Sequence, residues 1–154
     1  MRVLITYVAV LSILAWQPAS AADTLCAPLR KFVESVKPHE SKTITFKTSW
    51  GEGFKDSEEP SLAAKRCQHG GYDPAKLVCA DFMAHRSTEF GGTNARRAIS
   101  CLSRDTRFAP RVSVHTIAVS FTYGTEDRGS LVDISLAEDD VVGGMALTIT
   151  AEGY

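Results

Sequence analysis

Four cysteines, at positions 26, 67, 79 and 101, constrain this 154-residue chain more than any other feature. Their number is even, and each falls after an amino terminus built like an export signal. A zinc site would ask for a Cys-x-x-Cys or a compact Cys/His knuckle, and the spacings here are too wide. Two disulfides are the expected use, with three pairings available. Cys79–Cys101 with Cys26–Cys67 is the pairing expected, because an antiparallel helix pair hinged at 87–92 would set residues 79 and 101 level. Cys67–Cys79 with Cys26–Cys101 is the alternative, since twelve residues and a glycine turn can close that loop.

The export reading rests on the first residues. Met1-Arg2 is a short basic start, "VLITYVAVLSILAW" (3–16) an uncharged apolar run, and Ala19-Ser20-Ala21 a small-x-small cleavage pattern. The apolar run is shorter than the ~20 residues a membrane-spanning helix needs. A signal peptide over 1–21 and a single domain over 22–154 are therefore expected, in the periplasm or secreted, with no membrane insertion after cleavage. Cys26 follows Asp23-Thr24-Leu25 rather than the apolar run, which argues against a lipid anchor. Whole-chain charge is −1, with 17 basic and 18 acidic side chains, so broad electrostatic binding to nucleic acid or anionic membrane is not expected.

Hydrophobic periodicity then lays out the domain. Leu25, Leu29, Phe32, Val33 and Val36 share one face of a helix within 24–37, which Pro38 stops. Residues 42–50 alternate as a half-buried strand, with Ile44, Phe46 and Thr48 on one side. Pro60 opens a short helix over 60–67, and Pro74 opens another over 74–86 that Asp73 can cap. A third helix follows over 94–102, with Thr93 as its cap. Strands at 111–124, 130–138 and 145–153, joined by short turns, read as an antiparallel meander. The expected fold is α+β: a four-stranded antiparallel sheet, made of the meander plus the 42–50 strand, with helices on one face and disulfides as staples.

"CADFMAHRSTEF" (79–90) carries the most reactive-looking letters. Helical phase sends Cys79, Phe82, Met83, Arg86 and Phe90 to one side. Asp81, His85 and Glu89 go to the other. An Asp–His pair one turn apart can orient an imidazole or help hold a metal; it is more often a surface pair, and no nucleophile accompanies it. Cys79 beside Leu77, Phe82 and Met83 reads as a core staple. His115 reads as a buried structural histidine in mid-strand. "AEDD" (137–140) reads as a solvated acidic turn that offers charge to a basic partner, and Arg96-Arg97 as helix surface or a docking pair.

The loop "SWGEGFKDSEEP" (49–60) offers Trp50 and Phe54 as apolar anchors ringed by Glu52, Asp56, Glu58 and Glu59, the composition of a protein-binding rim. Covering the end of the sheet is the equal alternative for Trp50. In "CQHGGYD" (67–73), His69 and Tyr72 are further candidate contacts for a partner, set against a helix-ending turn in which Gly70 or Gly71 takes a positive φ. No nucleotide loop, metalloprotease, hydrolase-elbow or thioredoxin motif is present, and no cofactor or metal is called for. The general build resembles small exported bacterial proteins that inhibit an enzyme by surface binding, such as lysozyme inhibitors and immunity proteins; this likeness transfers no residues. The expectation is a protein-binding domain that occludes an enzyme or toxin of the cell envelope. A small hydrolase or metal-dependent enzyme using Asp81 and His85 is the alternative.

Overall fold

A computed structural model describes residues 23–154, so the signal-peptide reading lies outside the described residues. Three helices, α1 (Cys26–Ser35), α2 (Asp73–His85) and α3 (Gly91–Leu102), pack on one face of a five-stranded sheet. Its strands are β1 (Ser41–Trp50), β2 (Ala63–Gln68), β3 (Ile117–Gly124), β4 (Gly129–Glu138) and β5 (Met145–Gly153). They run β2-β1-β5-β4-β3, antiparallel throughout. The α+β class and the meander are as the sequence predicts. The sheet has one strand more than expected.

That strand is β2, which replaces the short helix predicted at 60–67. Ala63, Ala64, Lys65 and Arg66 favour a helix locally, but β1 offers an unpaired edge, and pairing Phe46 with Cys67 turns the thiol toward the core. Tertiary pairing overrides propensity there. The predicted strand at 111–124 begins only at Ile117. Residues 103–116 instead run irregularly over α3, tied by Arg96, whose Nη1 donates to the Val112 carbonyl at 2.7 Å. His115 is exposed in that segment, not buried in a strand.

Period-two patterning places the core. Ile44 and Phe46 from β1, Leu147 and Ile149 from β5, and Val132, Ile134 and Leu136 from β4 face inward in register. Against them the helices bring Leu29, Phe32 and Val33, then Val78 and Phe82, then Ala95, Ala98 and Ile99. Phe46 and Phe82 stack with ring centroids 4.7 Å apart. The outer sheet face is left to Thr43, Thr45, Thr150, Asp133 and Ser135, with little to bury.

Helix ends depart from expectation. Asp73 lies inside α2 and pairs with Lys76 at 2.6 Å instead of capping the helix. Thr93 lies inside α3, which starts two residues earlier at Gly91. A Cβ on Gly92 would stand 1.8 Å from the Val114 carbonyl oxygen, so this close approach of helix and segment requires glycine. Gly92→Ala is expected to cost about 1–3 kcal/mol by forcing the two apart. Urea unfolding measures it, and a variant as stable as the parent would contradict the contact.

The disulfides are Cys26–Cys101 and Cys67–Cys79, not the favoured Cys79–Cys101 with Cys26–Cys67. The reason is the place of α1. It packs against both α2 and α3, so the expected direct pairing of α2 with α3 does not form. Cys26, at the start of α1, then meets Cys101 at the end of α3, while Cys79 meets the neighbouring strand β2.

Candidate functional site

The α2 stripe resolves differently from its helical-phase reading. Cys79 and Phe82 are buried as expected, but Leu77, Met83 and Phe90 are exposed. Asp81, expected on an outer stripe, is 6% exposed, and Arg86 is 4% exposed. Arg86 Nε donates to Asp81 Oδ2 at 2.7 Å, and its Nη2 donates to Thr24 Oγ1 at 2.9 Å and Asp23 Oδ1 at 3.1 Å. The Thr24 hydroxyl donates to the other Asp81 oxygen, which His85 Nδ1 also approaches at 3.2 Å. Burial works to raise the Asp81 pKa, but the hydrogen bonds from Arg86 and Thr24, the Arg86 charge and the His85 contact together hold it below the usual carboxylate range.

This cluster ties the first two described residues, Asp23 and Thr24, to α2. His85 extends from it into solvent, with 58% of its side chain exposed. Among the described residues no three His, Cys, Asp or Glu side chains gather as a metal site would require. Asp81 thus serves as the centre of an ion-pair network that holds the chain together.

His69 and Tyr72 sit at the expected glycine turn, but it ends strand β2 and not a helix. Gly70 and Gly71 both have positive φ (56° and 75°) between β2 and α2. Tyr72 is half-buried; its hydroxyl donates to the Ser35 carbonyl at 2.9 Å and its ring meets Phe32 edge-on, so it clamps α2 to α1. His69 is half-buried beside it, with Nδ1 unpartnered.

The loop between β1 and β2 holds the remaining candidate residues. Trp50, the last residue of β1, is 55% exposed. Phe54 is 7% exposed and packs beneath the Arg66 guanidinium, 4.8 Å from its ring centre, so it anchors the loop from inside and is not an outward contact. Arg66 in turn grips Asp56 with two hydrogen bonds, 2.7 and 3.0 Å. Ser49 Oγ donates to the Gly53 carbonyl, the Gly51 N–H to Leu62, and the Lys55 N–H to Val142 of the β4–β5 turn. The loop is thus tied at both ends and across to its neighbour.

These ties shape a cleft of about 1010 Å³ between the loop, the β4–β5 turn and the α2–α3 connection. Register puts the pieces together: Thr48 pairs with Met145, which brings residues 138–144 beside Trp50. Glu52, Glu58, Glu59, Glu89, Glu138 and Asp140 line the cleft, and none makes an ion pair among the described residues. Asp139 is the exception. Lys47 Nζ bonds it at 2.7 Å and, with the backbone N–H groups of Val142 and Val141, outweighs desolvation to hold its carboxyl below the usual range. Trp50 and Glu52 were legible as candidates. Glu89 and the acidic turn containing Glu138 also stand out as charged candidates; their meeting beside Trp50 does not, because only the sheet register and the α2–α3 connection bring them there. In comparison with known proteins, no family model, no curated protein and no solved structure matches the chain.

Proposed function

We propose that the chain is an exported protein-binding domain, an inhibitor or immunity protein that occludes an enzyme of the cell envelope such as a cell-wall-attacking toxin. The observation that carries this reading is the exposed Trp50 on the rim of a cleft holding six unpaired carboxylates. The cleft's only lining cation among the described residues is Lys55, whose Nζ donates to the Asp140 carbonyl, so acid is in excess beside the aromatic anchor; this suits a basic surface, and long-range attraction speeds the encounter. The tied loop lowers the ordering cost of binding, since Phe54, Arg66 and Asp56 already hold it in place. Export to the periplasm is supported by the basic-apolar-small start of the sequence and by two disulfides in the described domain, which persist in oxidising compartments.

Mechanistically, Trp50 inserts at the partner's cleft while Glu52, Glu58 and Glu59 meet basic side chains around it. Trp50→Ala is expected to weaken binding by more than ~1 kcal/mol without lowering stability, because the ring is exposed in the free domain. The test immobilises the mature protein, captures from cell-envelope extracts that include competing bacteria, and compares the two forms. A basic protein held one-to-one and lost with Trp50→Ala supports the reading. Absence of any stoichiometric partner, or a partner indifferent to Trp50, sinks it.

A further inference from the structure

A second cleft, of about 590 Å³, lies between the start of α1, the outer face of α3 and the segment after it, and shares no lining residue with the acidic cleft. Thr93, Arg96, Arg97 and Ser100 follow one another at helical spacing along α3, and Arg104 continues the row past the helix end. Arg107 completes the cleft's basic lining. The stretch 96–111 holds five arginines and one acid in a chain of net charge −1. Charge is therefore segregated between the two clefts.

The arginines differ in what holds them. Arg96 is fixed: it donates to the Val112 carbonyl and lies over the Phe108 ring at 5.3 Å, with no carboxylate partner among the described residues. Arg97 is half-exposed and stands 3.7 Å from Asp23, the only acid lining the cleft among the described residues. Arg104 and Arg107 are exposed and make no ion pair or side-chain hydrogen bond among the described residues. The Cys26–Cys101 disulfide lines the same cleft and keeps α1 and α3 at fixed separation. Neighbouring guanidinium groups without anions repel one another, and a bound anion removes that cost.

We propose that this cleft binds a phosphate-bearing ligand, with Arg97, Arg104 and Arg107 as the charged contacts and Arg96 as a fixed cationic wall. A carboxylate accepts from one guanidinium fork, whereas a phosphate offers oxygens in several directions, which matches donors arrayed around a cleft; a monoester or pyrophosphate also carries more charge. The volume suits a ligand of small-molecule size. The phosphate comes either from a soluble ester or from a headgroup on an anionic membrane surface.

The test titrates the mature, disulfide-bonded protein with inorganic pyrophosphate by calorimetry, and separately sediments it with phosphatidylglycerol-containing and pure phosphatidylcholine vesicles. Binding in at least one arm is expected to weaken as salt rises, and to fall at least about tenfold in Arg104→Gln/Arg107→Gln. The melting temperature should not move, since neither side chain holds the fold. Pyrophosphate binding assigns a soluble source, and sedimentation with anionic vesicles alone assigns a headgroup. No saturable binding in either arm at ~10 mM phosphate, or binding that the double variant leaves unchanged, overturns the proposal. Trp50→Ala should leave both arms untouched, which separates this site from the partner-binding cleft.

Discussion

Replacing Cys26 and Cys101 together by alanine is expected to lower the unfolding free energy by about 4 kcal/mol, against about 3 kcal/mol for the Cys67 and Cys79 pair. The difference follows from loop length. The first bridge spans 75 residues and the second 12, and the entropy that a cross-link removes from the unfolded chain grows with the logarithm of the loop. The longer bridge also fastens two helices whose contact with the sheet forms the core, so losing it frees the start of α1 from the end of α3. Arg30 works across the same junction, its Nε donating to the Cys101 carbonyl at 2.9 Å. Urea unfolding of each double variant, with the other disulfide intact, gives both values. A Cys67/Cys79 variant that proves the less stable of the two would show that local packing at β2, not loop closure, dominates.

What could be read from the sequence follows one division: near-neighbour patterns were legible, and distant pairings were not. The faces of β1, β4 and β5 are set by alternation within nine or ten residues, and Ile44, Phe46, Val132, Ile134, Leu136, Leu147 and Ile149 all fell where period two places them. The apolar stripe of α1 was equally plain. The observed disulfide pairing is legible only as the alternative of two, because the choice depends on α1 packing against both other helices, a fact carried by no local pattern. β2 escaped for the same reason: its alanines and basic residues favour a helix, and the edge of β1 decides otherwise. Charged residues misled most where burial was paired. Helical phase alone puts Asp81 outside, since no local pattern announces that Arg86 would neutralise it and Thr24 donate to it within the fold. The candidate site divides likewise. Trp50 stood out, whereas Phe54 looked like its twin until Arg66 and Asp56 were seen to hold it down.

Arg86→Ala is expected to destabilise the domain by about 3–5 kcal/mol, because it leaves the Asp81 carboxylate buried without its cation. The loss extends to Asp23 and Thr24, which Arg86 also binds, so the amino-terminal end of the domain should lose protection from hydrogen exchange together with α2. Acid stability gives an independent reading. The folded Asp81 pKa lies below its unfolded value of ~3.9, so its contribution is complete above that pH and disappears as pH falls through the folded pKa. Without Arg86 the largest source of that lowering is gone, and burial pushes the carboxyl the other way; the variant should therefore unfold at a higher pH than the parent. Asp81→Leu combined with Arg86→Met removes both charges and should recover most of the stability at neutral pH, as apolar replacements of buried pairs commonly do. Urea unfolding at pH 7 and an acid titration followed by far-ultraviolet circular dichroism measure all three proteins. A loss under ~1 kcal/mol for Arg86→Ala, or an unmoved acid midpoint, would mean that water reaches Asp81 and that the network does not hold the domain.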